Sequence, residues 1–329
     1  MDKINTNIKK KITLIAIVVA VTAVLTTLFI AFFMSGQDVT VVDEPLALSA
    51  SGESTTISVG SNIVGIRKDG TVVSTGDDYL TAYVAKTHES FDADLHDITA
   101  VSAGGELLIG LKEDGTVVVG GFFLDPFDLS DWRDIVAVSA GFNHIVGLKS
   151  NGTVVSEGIN SQGPLEVSEW RDIVAVSAGA GHTVGLKSDG TVVAVGLNDD
   201  SQLDVSDWRD IVAVSAGVHK TLGIKSDGTV VVAGNDYYDQ IDVSDWRDIV
   251  AVSAGAYLIV GLKSDGTVVA AEPTWSDGEQ FNVSDWRNIV AISTNSAIIV
   301  GLKTDGTVVV EGNVYDTFDY SEWRDIRLP

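Results

Sequence analysis

Cysteine is absent from this chain, which excludes disulfides, thiolate metal sites, thiol catalysis and a lipidated cysteine anchor. Basic residues are scarce: 21 lysines and arginines stand against 46 aspartates and glutamates, a formal net charge of −25. Beyond residue 11 there are 17 basic residues, and 13 of them fall into two repeated columns. One column is Arg67, Lys112, Lys149, Lys187, Lys225, Lys263 and Lys303; the other is Arg133, Arg171, Arg209, Arg247, Arg287 and Arg324. Only Lys68, Lys86, Lys220 and Arg327 are left over, so no basic stripe for phosphates can be assembled and nucleic acid is not expected as a partner. After residue 34 no run has helical period. There is no His-Glu-x-x-His, no phosphate-cradling glycine loop and no Gly-x-Ser-x-Gly elbow, so no catalytic residue, cofactor or metal is expected.

What the chain does contain is one phrase written seven times. Each copy has the form Leu-Lys-Ser-Asp-Gly-Thr-Val-Val, with its glycine at Gly70, Gly115, Gly152, Gly190, Gly228, Gly266 and Gly306. A period near 38 residues marks an array of supersecondary units, none of which buries its apolar surface alone. Within a unit four short strands are expected: Ile-Val-Ala-Val-Ser-Ala-Gly (A), an apolar run ending in Gly-Leu-Lys (B), Thr-Val-Val-Ala-Val (C) and Leu-Asp-Val (D). Valine and isoleucine dominate A to C, and Ser-Asp-Gly between B and C is a tight-turn signal. The expected fold is all-β, a seven-bladed β-propeller with four-stranded blades over residues 46–329, in which radial repetition leaves only short, protected edges.

Chain length favours a ring over a solenoid. From an outer strand D to the inner strand A of the next blade the chain must cross three strand spacings, roughly 14 Å. The connector Ser-Asp-Trp-Arg-Asp spans up to about 17 Å when extended. Strand A suits the crowded axis, where alanine, serine and glycine leave room for converging blades.

The unit resembles the regulator of chromosome condensation repeat family, in particular its short-blade bacterial members. The resemblance is carried by Ala178-Gly179-Ala180-Gly181-His182-Thr183-Val184-Gly185-Leu186-Lys187-Ser188-Asp189-Gly190-Thr191-Val192-Val193, then Gly196, Asn198 and Gln202. It covers roughly residues 46 to 326 and implies the propeller. Its members include a nuclear exchange factor for a small GTPase and secreted inhibitors of β-lactamases, so the resemblance leaves the activity open.

Residues 12–34 carry no charge, and as a helix they would span roughly 34 Å, enough for a hydrocarbon core of about 30 Å. They are read as an uncleaved transmembrane signal-anchor. Lys3, Lys9, Lys10 and Lys11 hold residues 1–11 in the cytoplasm by the positive-inside rule, which places the propeller outside the cell beyond a polar tether at residues 35–45.

An antiparallel blade sends its A–B and C–D loops to one face of the disc and its B–C turns and D–A connectors to the other. The second face carries the repeated Ser-Asp-Gly and Trp-Arg-Asp segments, whereas the first carries nearly everything that differs between blades. Such variation on a rigid scaffold is what one asymmetric partner requires. The candidate partner-binding residues are Phe142, His144, His182, Tyr237, Tyr238, Tyr257 and Trp275, aromatic or imidazole side chains of that face. Trp132, Trp170, Trp208, Trp246, Trp286 and Trp323 recur in register and are assigned to packing between blades, with the adjacent Arg and Asp as a charge and hydrogen-bond device between them. The expected function is binding of a protein partner at the cell surface. The alternative is a glycan-binding or carbohydrate-active propeller, for which Asp77-Asp78, Asp199-Asp200 and Asp236-Asp239 offer carboxylate pairs.

Overall fold

The computed structural model describes residues 56–60, 62–76, 97–105, 107–121, 127–159, 163–235, 242–271, 281–295, 297–312 and 323–329. The expected helix over 12–34 and the candidate residues Tyr237, Tyr238 and Trp275 lie outside these residues. Among the described residues no helix is long and apolar enough to cross a membrane.

The described residues form seven antiparallel sheets of three strands each, over 57–76, 98–121, 135–158, 173–196, 211–234, 249–271 and 289–312. These are the seven blades. Blade 4 shows the pattern: an inner strand Ile173–Ala178, a middle strand His182–Lys187 and an outer strand Val192–Gly196. The turn between middle and outer strands closes through Gly190 N–H to Lys187 O (3.0 Å) and Lys187 N–H to Thr191 O (2.9 Å). Its glycine sits at φ 79°, a left-handed position where a side chain is strained. Asp189 Oδ1 accepts from the Thr191 N–H (3.0 Å) and hydroxyl (2.6 Å), which fixes the turn from the side.

Among the described residues no blade shows a fourth strand. In blade 4, whose outward connection is described throughout, Leu203-Asp204-Val205 runs as turn and irregular chain. Val205 is nevertheless buried, in a cluster with Leu186, Val192 and Ile211. The apolar pair that suggested a strand anchors a turn instead.

Two sets of hydrogen bonds join successive blades. Near the axis, the serine of each inner strand accepts the backbone N–H one residue after the equivalent serine of the next blade. The bonds are Ala103 to Ser58, Ala140 to Ser102, Ala178 to Ser139, Ala216 to Ser177, Ala254 to Ser215, Thr294 to Ser253 and Val59 to Ser293, all 2.9–3.0 Å. The last of them joins blade 7 to blade 1 and completes the circle. On the turn face, Ile135, Ile173, Ile211, Ile249 and Ile289 donate N–H to the turn glycine carbonyl of the preceding blade, at 3.0–3.1 Å.

Aspartate before that isoleucine has a conformational role. Asp97, Asp134, Asp172, Asp210, Asp248, Asn288 and Asp325 all have φ between 57° and 61°, the left-handed region that Asp and Asn tolerate best. The arginines bond locally: Arg171 Nη1 donates to the carbonyls of Trp170 (2.7 Å) and Ser168 (2.8 Å). The expected side-chain device between blades is therefore corrected to a backbone one, with Arg capping its own turn.

The tryptophans stack on glycines. A Cβ on Gly147 would come within 2.7 Å of the Trp132 ring, and the same relation holds for Gly185 with Trp170, Gly223 with Trp208, Gly261 with Trp246 and Gly301 with Trp286. Trp132 lies in a cluster that takes Ala100, Ile109 and Leu111 from blade 2 and Ile135, Val138 and Ile145 from blade 3. Trp323 does the same at the closure, against Gly65 and among Ile57 and Ile63 of blade 1 and Val300 and Leu302 of blade 7.

Residues after Trp323 finish blade 1. Its own inner strand is short, Ile57–Val59, and the missing start comes from the other end of the chain. Ile326 pairs with Arg67, Lys68 N–H donates to Asp325 O (2.9 Å), and Arg327 N–H donates to Ile66 O (2.7 Å). Trp323→Ala is expected to destabilise the whole ring by about 3–5 kcal/mol, as for other buried aromatics. Denaturant unfolding checks this: a loss below about 1 kcal/mol would show that the C-terminal segment does not hold the closure.

Candidate binding face

The loop between inner and middle strands is a tight turn, closed in blade 3 by Gly141 N–H to His144 O (2.8 Å) and in blade 4 by Gly179 N–H to His182 O (2.8 Å). A Cβ on Gly141 would collide with the Gly179 carbonyl, and one on Gly179 with the Gly217 carbonyl. Glycine therefore permits the close approach of neighbouring loops, and Phe142 N–H reaches Gly179 O at 3.3 Å. Blade 7 replaces this glycine with Asn295, whose side chain does the work of two contacts. Its Oδ1 accepts the Ala297 and Ile298 N–H groups, and its Nδ2 donates to Gly60 O of blade 1 at 2.8 Å.

The loops surround the axis. Gly105, Phe142, Ala180, Val218 and Ala256 form the mouth of an axial cavity of about 320 Å³, walled by the serine, alanine and glycine of the inner strands. Phe142 is 57% exposed and packs over Gly105, while Tyr257 is 37% exposed. Of the four candidates among the described residues these two are on the surface.

His144 and His182 are not surface residues, and their proposed contact with a partner is corrected. Both are fully buried, as the first residues of their middle strands. His144 Nε2 lies 3.0 Å from Thr183 Oγ1, and His182 Nε2 lies 3.1 Å from Thr221 Oγ1. Each threonine hydroxyl already donates its one proton, Thr183 to Pro164 O and Thr221 to Gln202 O. The hydroxyls must therefore accept, so both imidazoles carry their proton on Nε2 and leave Nδ1 bare. Among the described residues neither Nδ1 has a partner. Burial lowers His144 from 6.5 to about 4, and burial together with the nearby His144 and His219 lowers His182 to about 3.

A polar cluster that sequence reading missed pins one variable loop. Asp200 Oδ2 lies 2.8 Å from His219 Nδ1 of the next blade, and Asp200 Oδ1 accepts from Asn235 Nδ2 at 3.3 Å. Asp200 N–H donates to Gln202 Oε1, and Leu203 N–H to Asn198 Oδ1. Asp200 thus fastens the loop after blade 4 to blade 5. Among the described residues no three His, Cys, Asp or Glu side chains gather as a metal site.

Acid should weaken the fold through the two buried histidines. The unfolded imidazoles take up protons near pH 6.5, whereas the folded rings resist until about 4 and about 3. Stability is therefore complete above pH 6.5 and falls as pH is lowered toward 3, by on the order of a few kcal/mol. The equivalent positions in blades 2 and 6 are the buried leucines Leu107 and Leu258, so His182→Leu suits the site. Unfolding between pH 6.5 and 4 is expected to lose much of its pH dependence in His144→Leu/His182→Leu; an unchanged slope would assign the dependence elsewhere.

Comparison with known proteins agrees with this architecture. The family model for the regulator of chromosome condensation (RCC1) repeat matches residues 135–163 and 173–202, which are blades 3 and 4 with their connections. No curated protein matches the chain in sequence. Among solved structures, the CRINKLY WD40 ectodomain of the Arabidopsis thaliana receptor kinase ACR4 aligns with a TM-score of 0.67 at 17% identity, over 82% of this chain and 99% of its own. Prp20p of Saccharomyces cerevisiae, described with its binding to Gsp1p and histones, aligns at 0.53 and 16% identity, over 78% and 82%. Yeast RCC1 (Prp20) bound to Kap60 aligns at 0.52 and 15% identity, over 84% and 85%. Two of the seven units thus match the RCC1 repeat model, and the likeness to the solved structures is one of fold: the chain is a seven-bladed β-propeller.

Proposed function

We propose that this propeller is a binding scaffold, held outside the cell by a transmembrane helix over residues 12–34, that recognises a protein partner with the face carrying its variable loops. The observation that supports this most is the difference between the two faces. On the turn face the same hydrogen bonds recur from blade to blade, and six of the seven turns carry aspartate bonded to threonine, with Asn151 in the seventh. On the other face each loop has its own contents, among them the exposed Phe142 and Tyr257. A uniform surface offers a partner seven equivalent registers, whereas a varied one offers a single register.

The solved relatives lend support at the level of fold: one is a receptor ectodomain, and another is bound to Kap60. Tyr237, Tyr238 and Trp275 belong by sequence to loops of the same face and complete the candidate set with Phe142 and Tyr257. The acidic surface favours a partner with complementary basic patches, which would speed association and make it salt-dependent.

Phe142→Ala and Tyr257→Ala are expected to weaken partner binding, by about 2 kcal/mol or more at the better of the two, with unfolding unchanged. Asp189→Ala, on the turn face, should alter stability alone. Pull-down with the full chain identifies the partner, and calorimetry of the variants decides between the faces: loss of affinity in Asp189→Ala but in neither aromatic variant would put the surface on the wrong side.

Topology is tested separately. Protease added to intact cells should remove the propeller and spare residues 1–11. Recovery of the propeller solely from the medium, beginning near residue 35, would contradict the anchor.

A further inference from the structure

The seven serines that clasp the inner strands have a proton left over. Each Oγ uses one lone pair to accept a backbone N–H from the next blade, and its own O–H remains to be given away. None of these hydroxyls has an acceptor among the described residues. Ser177 and Ser215 are only 3% and 2% exposed, so an acceptor for them must sit inside the ring. All seven line the axial cavity, whose volume of about 320 Å³ lies near the lower end of the range for small-molecule sites.

The remaining wall narrows the chemistry of an occupant. Alanine, glycine and valine make up most of it, and no charged side chain lines it. An anion would meet hydroxyl donors but no cation, inside a chain of net charge −25 that repels it. A metal ion would find no carboxylate. What fits is a neutral molecule with several oxygen acceptors and some apolar surface, entering past the exposed ring of Phe142. We propose that the axial cavity binds one neutral sugar ring, either a free monosaccharide or the terminal unit of a glycan. This site is independent of the proposed protein partner, which would use the loops around it.

The full chain, in a detergent without sugar headgroups, would be titrated with D-glucose, N-acetyl-D-glucosamine and the β-linked tetramer of the latter, following ligand NMR signals. One saturable site is expected for at least one of the three, not displaced by sodium phosphate. Ala180→Trp closes the mouth from a loop without touching a serine, and should weaken binding at least about tenfold. Val218→Trp closes it from the neighbouring blade if the first variant fails to fold. Tighter binding of the tetramer would identify a glycan end, and exclusion of the tetramer a free sugar. Absence of saturable binding for all three, displacement by phosphate, or affinity unchanged in a folded mouth variant would each overturn the proposal. Protein-partner capture by the unaltered chain, measured with and without saturating sugar, keeps failure of this site separate from failure of the protein-binding reading.

Discussion

A backbone N–H at the joint between two inner strands of a closed ring has to find an acceptor across the blade boundary, and the serine of the adjacent inner strand supplies it. Leaving such a donor unpaired costs about 1–3 kcal/mol, so seven of them would erase the stability of an ordinary domain. The rest of the unit follows from this requirement. Serine is short enough to reach sideways, the next residue is alanine in five of the seven blades, and the one after it is glycine in six because the neighbouring carbonyl occupies the place of a Cβ. Blade 7 departs from Ala-Gly with Thr294-Asn295, yet it keeps the clasp. Thr294 N–H still bonds Ser253, while Asn295 replaces the missing fit with side-chain bonds to blade 1.

Much of this was legible from the sequence because repetition multiplies a weak signal. Strand, turn and blade number recur seven times, and valine alternation with Ser-Asp-Gly reads the same way each time. The failures have separate physical causes. Leu-Asp-Val looked like a strand because it is short and apolar, but Val205 is buried from a turn, a fate that composition does not distinguish from a strand. Arg and Asp of the connector looked like an ion-pair device, yet backbone conformation explains the aspartate; the asparagine at position 288 was the available clue, since Asn shares the left-handed preference of Asp without its charge. His144 and His182 were read as loop residues although their column also holds Leu107, Leu258 and Ile298, which marks an interior position.

The chemistry of the candidate face follows from the same ring. Because the backbone is fixed by contacts repeated around the axis, loops between inner and middle strands are free to change side chains without disturbing the fold. Asp200 and His219 show that some of this freedom is spent on stiffening, which lowers the entropy a partner must remove on binding. The turn face has no such freedom, since its carbonyls and amides already bind the next blade.

The most direct test of the clasp is Ser293→Ala, which removes the acceptor at the joint between the last blade and the first. Native-state hydrogen exchange should then show the Val59 amide losing protection, together with a drop in the most protected amides of all seven blades, because an opened ring loses its cooperativity. If exchange quickens at Val59 alone and the other blades keep their protection, the ring is held by something other than its serines.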